Sequence, residues 1–520
     1  MKTKKLRLES LESRITPATF SPTITIGDVE AVEGQQARVP VYLSDTPILP
    51  IKISYETAND SARSGSDYQS AKGTLAINRG ENVGYIYVDT IDDAIKEAME
   101  SFVVNLKRIN YGKIRDKQAV VKIIDDDSLP PAPTPTGPRG PQQNVVAPQG
   151  ALIVTPSTAS QIDNAPAGAT VYLRAGIYDV TIVPKTGQTF IGEYGAILRS
   201  TTKQFAFRSS ANDVTIKNLT IDGYRPGQWY FGAIQSDKGL RWSIENVEVK
   251  NSTHRGVSIF DGSQVINSYI HHNGHLGIKV DGLAGYSGEP TYLTDKGEPV
   301  LVANNEIAHN NTAHADVGHD AGGLKVWNTN NVTVENNFVH HNWGNGIWFD
   351  VDNYNGVIRN NLVEDNEFSG IYIEISRRIT VENNTVNRNG RNYATDNWRV
   401  VAGISVDTSS DVIVRGNTLI NNGNSLTAVA QSNRSGEGRQ WYLQRVVFDS
   451  NDATMDRGRV GRVMDATARN NQSAMADVKF TNNEYTVSGD AGWIWDNWES
   501  QKINWTQWRT LGQDLNGVLK

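Results

Sequence analysis

Five short stretches repeat one pattern: "VTVENNFV" from 332, "GVIRNNLV" from 356, "ITVENNTV" from 379, "VIVRGNTL" from 412 and "VKFTNNEY" from 478. The first four are followed by a second asparagine, in "VHHN", "VEDN", "VNRN" and "LINN", and a Gly-apolar strand such as "GIWFD", "GIYIE" or "GISVD" usually comes next. Counted on the second Asn of each pair, the spacings are 24 (337 to 361) and 23 (361 to 384). Repeats at this period mean stacked, nearly identical turns. Apolar residues alternate at period two, which makes each turn β rather than helical. A turn of about 22–24 residues fits a three-sided, right-handed parallel β-helix. An asparagine recurring at one place per turn can stack and satisfy backbone groups that a buried corner would otherwise strand.

Ahead of this zone, residues 22–127 read as a different β domain. "ARVPVYLS", "IKISYET", "VGYIYVDTI" and "SFVVNLKRI" alternate apolar and polar between turn-formers, predicting an antiparallel sandwich. "SLPPAPTPTGPRGPQQ" then separates the two as a Pro-rich linker over 128–148. The β-helix is expected over 149–485, with a Trp-rich C-terminal cap over 486–520. The whole chain is therefore expected to be all-β. No run approaches the length of an apolar membrane span, and a formal charge of −7 offers no basic footprint for nucleic acid. With no cysteine, disulfides and thiolate chemistry are excluded. The expectation is a monomer.

Three resemblances follow from these residues. The internal repeats, with "STASQIDNAPAGATVYLRAGIYD" at one end and "INWTQWRTLGQD" at the other, resemble pectate-lyase-like β-helix proteins over roughly 150–485. The sandwich resembles the Calx-β domain through "VEG", "GSDY", "IDDAIKEAMESF" and "IIDDD". That resemblance implies Ca2+ as cofactor, with Glu33, Asp67, Asp92, Asp93, Glu97, Glu100, Asp125, Asp126 and Asp127 as ligands. A hard cation needing six to eight oxygens would relieve the repulsion among such carboxylates. Within a leader spanning 1–21, "LESLESRITPA" is similar to an N-terminal motif of planctomycete extracellular proteins, which implies an extracellular or cell-surface location.

Aligning the Gly-apolar strands gives a register for the solenoid. Ile278, Leu324, Ile347, Ile371 and Ile404 should point inward, and the next residues, Lys279, Lys325, Trp348, Tyr372 and Ser405, outward. Asp281, Trp327, Asp350, Glu374 and Asp407 should form a second outward column about 4.8 Å apart per turn. Insertions at about 283–299, between Asn310 and Gly323, and between Asn389 and Gly403 would wall a groove beside this face. All nine histidines lie between 254 and 341. His271, His272, His309, His340 and His341 occupy matched corners and are read as a stacked row, whereas His314 and His319 sit in an insertion as acid/base candidates.

Carboxylates and aromatics on such a face fit two chemistries on a polysaccharide or cell-surface glycan. In glycoside hydrolysis, Asp350 and Glu374 on neighbouring turns would approach the roughly 5 Å of retaining enzymes, and Asp350 with Asp352 the roughly 6.5–9.5 Å of inverting ones. In uronide β-elimination, Lys325 or His319 would take the proton while a cation held by Asp350, Asp352 and Glu374 neutralised the sugar carboxylate. Trp327, Trp348 and Tyr372 would stack on sugar rings, with Lys279, Asp281 and Asp407 as further substrate contacts. Neither the "WIDH" of pectate lyases nor the paired-aspartate signature of polygalacturonases occurs. A non-catalytic adhesion or spacer protein is the alternative, because a fold does not license an activity.

Overall fold

A computed structural model describes residues 21–47, 49–79, 81–92, 100–124, 139–282, 298–392, 401–431, 435–436, 439–465, 477–488, 495–496 and 502–520. The chain divides into two compact units, Met1–Pro130 and Pro131–Lys520. Among the described residues no helix is long and apolar enough to cross a membrane.

The first unit packs two sheets face to face. One carries Val83–Asp89, Gln36–Leu43, Thr23–Ile26 and Lys113–Ile114; the other carries Val29–Val32, Gln118–Ile124, Glu100–Ile109, Ile51–Asn59 and Lys72–Ile77. Val39, Val41, Ile53, Phe102, Val104 and Val121 fill the space between them, and Tyr68 stacks on Phe102 with ring centroids 4.0 Å apart. The pairing is not wholly antiparallel, as sequence alternation predicts. The N-terminal segment switches sheets after Ile26, and its two halves pair in parallel with Lys113–Ile114 and Gln118–Ile124.

The second unit is a parallel β-helix whose coils contribute strands to three faces. One face carries Gly232–Ser236, Arg255–Ile259, Leu276–Asp281, Gly322–Trp327, the leading halves of Asn345–Arg359 and Ile371–Glu382, and Ile404–Asp407. A second carries Ser243–Glu245, Gln264–Ile266, Val300–Ala303 and Val332–Glu335, and a third Glu248–Lys250, Tyr269–His271, Glu306–Ala308 and Phe338–His340. Inward Val, Ile and Leu from all three form one continuous core.

The asparagine repeats resolve into two buried ladders. In one, Asn305, Asn337, Asn361, Asn384, Asn417, Asn451 and Asn483 each donate from Nδ2 to Oδ1 of the next member at 2.9–3.0 Å, ending on Asp514. The other joins Asn273, Asn310, Asn342, Asn366, Asn389 and Asn422 in the same way. Each Oδ1 also accepts a backbone N–H from the preceding turn, as from Asn337 to Asn361 at 2.9 Å. The residue before the ladder Asn takes a left-handed conformation: Asn336, Asn360 and Asn383 at φ 56°, 55° and 55°, and in the second ladder His272, His309 and His341 at 52°. Asparagine tolerates that region better than most residues, so each member of an Asn-Asn pair has its own task. The repeated glycine has a third. A Cβ on Gly346 would lie 2.8 Å from the Asn366 Nδ2, and one on Gly370 2.8 Å from the Asn389 Nδ2.

Replacing a ladder residue should leave the preceding turn's donors without an acceptor, at a cost of about 2–3 kcal/mol. Because solenoid turns couple mainly to neighbours, hydrogen exchange of Asn361→Ala is expected to lose protection in Val332–Glu335 and Thr385–Asn387, and far less in the sandwich. Uniform loss across both units would contradict the ladder's local role.

Candidate functional site

Register places two columns on the first face. Lys279, Lys325, Trp348, Tyr372 and Ser405 are consecutive partners, as are Asp281, Trp327, Asp350, Glu374 and Asp407. These side chains point away from the core, yet most of them are buried, and Trp327 and Tyr372 are half-buried. Lys279 is 3% exposed, Lys325 5% and Trp348 3%, and Ser405 is fully buried. Part of the cause is a partial roof: Val317 to Asp320, at the end of the insertion, line the cavities on this face, and Trp229 and Tyr230 stand beside it, about half exposed.

Beneath that roof lies a cavity of about 660 Å³ with a charged floor. Lys325 Nζ is 2.8 Å from Asp350 and 3.3 Å from Asp320, and donates to the His319 carbonyl at 2.5 Å. Lys279 Nζ lies 3.5 Å from Asp281 and 3.7 Å from Asp320, while Arg255 bonds Asp320 and approaches Asp281 at 3.8 Å. Three cations and three carboxylates thus alternate, all less than a tenth exposed. Burial opposes ionisation of Asp320, but Lys279, Arg255 and Lys325 hold its carboxyl far below the usual range. Burial pulls the Lys279 ammonium down, against the attraction of Asp320 and Asp281. Trp327 lines the cavity with the Lys279 ammonium 5.5 Å from its ring centre.

Asp350 also borders a second cavity of about 280 Å³, lined by Trp348, Tyr372, Glu374, Asp407 and Gln431. Here three carboxylates from successive turns stand in register. Asp407 accepts from Tyr372 Oη at 2.9 Å, from Thr408 Oγ1 at 2.7 Å and from Gln431. Burial, aided by the charge of Asp350, nevertheless pushes its carboxyl up to about 6.

Several sequence expectations change. Trp348 cannot offer a free face to a sugar: the Lys325 ammonium sits 3.6 Å from its ring centre, Tyr372 stacks against it at 5.8 Å, and its Nε1 donates to Glu374 at 3.2 Å. Asp352 does not continue the alternation from Asp350. Val351 and Asp352 both adopt left-handed φ, 54° and 57°, and the pairing with the next turn slips between Asp350 and Asn353. Asp352 is buried outside both cavities, and Val351 borders the second one. His319 is exposed at the cavity, whereas His314 packs edge-on against Trp343 away from it. Arg255, Asp320, Trp229 and Tyr230 were not singled out by sequence. "RGVSI" carries the same Gly-apolar pattern one turn earlier, Asp320 ends the stretch "HADVGHD" in the insertion between Asn310 and Gly323, and "WYF" marks an aromatic loop.

In the sandwich, three loops bring acidic residues together. Thr90 N donates to the Gln35 carbonyl at 2.9 Å and Ile91 N to that of Asp67 at 3.0 Å. Gly34 lies against Asp92, whose Cβ is 2.8 Å from where a glycine Cβ would stand. Burial raises the Asp67 carboxyl, but hydrogen bonds from Ser66, the Arg63 amide and Glu100 bring it below its ordinary value. Of the expected ligands, Asp67 and Glu100 are thus hydrogen-bonded to each other, and Asp92 packs against Gly34, the residue after Glu33. The remaining expected ligands, Asp93, Glu97, Asp125, Asp126 and Asp127, lie outside the described residues, as do 283–297 and 393–400 of the expected groove insertions.

Residues 233–398 match the family described as Right handed beta helix region, and residues 29–127 the Calx-beta domain. Sodium/calcium exchanger 2 of Rattus norvegicus is 38% identical over 60 residues, 12% of this chain and 6% of the exchanger; the Homo sapiens protein gives the same figures. The chain therefore spans only 6% of the length of these curated relatives. Among solved structures, the apo-form Calx CBD1 domain is 24% identical, covering 21% of this chain and 99% of its own, at a TM-score of 0.20. The A-module of Azotobacter vinelandii mannuronan C-5 epimerase AlgE4 is 16% identical, covering 71% and 95%, at 0.45. Alginate lyase from Paenibacillus sp. str. FPU-7 is 13% identical, covering 65% and 94%, at 0.32.

The raised Asp407 carboxyl has a defined sign in stability. The folded state holds its proton to about pH 6, whereas the unfolded chain releases it near pH 4, so stability falls as pH rises through that window. Asp407→Asn keeps the shape and removes the titration. Thermal melts are expected to show a smaller loss from pH 4 to pH 7 in the variant than in the parent chain. Parallel curves would contradict a raised Asp407.

Proposed function

We propose that the β-helix binds an acidic polysaccharide in the roofed groove and cleaves it by β-elimination, outside the cell or at its surface. The observation that carries this reading is the Arg255–Lys279–Lys325 cluster on the floor of an aromatic-walled cavity. Burying three cations is costly even when each is paired. Placed at the base of an open cavity, they form a preorganised site for negative charge that develops in a reaction. A uronate carboxylate would enter between Trp229 and Trp327 toward Arg255 and Lys279. His319, exposed at the cavity, would take the proton from the carbon beside the carboxylate. The electrons left behind would form the ring double bond as the glycosidic C–O bond breaks, and the departing oxygen would take a proton from water.

Hydrolysis at the second cavity is the other reading, favoured by one observation: Asp407, whose carboxyl burial pushes up to about 6, stands in register with Glu374. Products separate the two. Elimination yields an unsaturated, ultraviolet-absorbing end; hydrolysis yields saturated sugars. On a panel of polyuronates and neutral glycans, the unsaturated product is expected from polyuronates alone. His319→Ala should lower kcat by about 100-fold or more, and Trp229→Ala should mainly raise KM. Saturated products lost in Asp407→Asn would favour hydrolysis, and binding without any product would favour the adhesion reading.

We also infer that the acidic end of the sandwich takes Ca2+, supported by the Calx-beta match over 29–127, the hydrogen bond between Asp67 and Glu100 and the packing of Asp92 on Gly34. Calorimetric titration of the full chain should show calcium binding that Asp92→Asn weakens about ten-fold or more. Unchanged affinity in Asp92→Asn and Glu33→Gln would remove this assignment.

A further inference from the structure

The third face of the β-helix carries imidazoles that neither the groove nor the core uses. Two His-His pairs, His271/His272 and His340/His341, lie two turns apart, with His309 on the turn between them. Their second members and His309 fill the left-handed position before a ladder asparagine, which fixes their backbone. His272 stacks on His309 at 4.9 Å between ring centres, and His309 on His341 at 5.1 Å. The first members, His271 and His340, end strands and are separated by Ala308 in the same register.

We propose that His309, His340 and His341 form a binding site for a divalent transition metal ion such as zinc. Ligand nitrogens from the three lie within 4.8 Å of one another, and the Nδ1 atoms of His340 and His341 are 2.8 Å apart. Metal–imidazole bonds of about 2.0–2.1 Å need nitrogens this near, with small rotations of the rings. The tautomer is already set for His340. Its Nε2 faces Glu306 at 3.4 Å, and Glu306 is itself held by Arg139 at 3.2 Å. A ring that donates Nε2–H to a carboxylate presents its Nδ1 lone pair on the other side, which is how metal-binding histidines are commonly oriented. Without a metal, two Nδ1 atoms at this distance must share one proton, and the ion would replace it. Borderline-soft zinc suits three nitrogens, with water completing four-coordination, whereas calcium prefers oxygens.

The probe is zinc alone, titrated into the full chain with calcium in excess to occupy the carboxylate sites. One zinc site per chain is expected. His340→Gln and His341→Asn should each weaken it about ten-fold or more, and His272→Asn, on the far side of His309, should leave it intact. Asparagine accepts the left-handed backbone at 341, and His340→Gln provides a second variant outside that position. Cobalt(II) in place of zinc should give the intense visible absorption of a tetrahedral site, lost in the same two variants. No zinc binding, or equal affinity in all three variants and the parent chain, would overturn the site.

Discussion

Everything in the larger unit depends on one recurring problem, the satisfaction of backbone N–H groups where a buried chain turns a corner. An asparagine amide meets it because one oxygen accepts two hydrogens while its own NH2 donates onward and to a carbonyl. Asn361 does all of this at once, accepting from Asn337 N and Nδ2 and donating to Val334 and Asn384. No apolar residue could stand there without stranding donors on the turn before. Each amide of the second ladder lies against the groove-face strand of the preceding turn, so glycine stands near the start of that strand, and the glycine in turn phases which residues point outward. The positions of Lys325, Asp350 and Glu374 on the groove face therefore descend from the packing of Asn342 and Asn366 against Gly323 and Gly346.

The groove inverts this economy of satisfied neutral groups. Its floor is built from full charges, and their order along the turns matters more than their number. Arg255, Lys279 and Lys325 come from three successive coils, and Asp320 reaches all of them from a loop, so one carboxylate neutralises what the solenoid would otherwise stack as like charges. Removing Asp320 would leave three buried cations facing two partners. The aromatic rings serve both ends of this arrangement: Trp348 and Trp327 lie under the two lysines from within the columns, while Trp229 and Tyr230 face solvent.

The solenoid was legible because its rule is local and repeats. Spacing of "ENN" and "RNN" gives the turn, and alternation after each glycine gives both outward columns residue by residue. What alternation cannot reveal is where it stops. Val351 and Asp352 look like a continuing strand, but the chain crosses there from one face to the next without a break, and two left-handed residues take up the bend. Burial of the lysines in these columns was equally hidden, since Asp320 and the His319 carbonyl meet them from an insertion rather than from the strands themselves. Asp320 and Arg255 became site residues only through that tertiary contact. In the sandwich, by contrast, acidic residues far apart in sequence were grouped by resemblance, and Gly34 against Asp92 is the packing that draws two of those segments together.

The way the first ladder ends has a consequence for the whole molecule. Its hydrogen bonds all run one way, each turn handing donors to the next, and a stack built so could in principle grow by recruiting another chain at its open end. Asp514 closes it. One oxygen receives Asn483, the other receives Tyr485 Oη and the Trp508 indole, and a carboxylate has no N–H to pass on. The small helix Trp505–Thr510 lays Trp508 over the last coil at the same point. A single exchange of amide for acid thus acts as a full stop for the ladder of asparagine amides at the last coil.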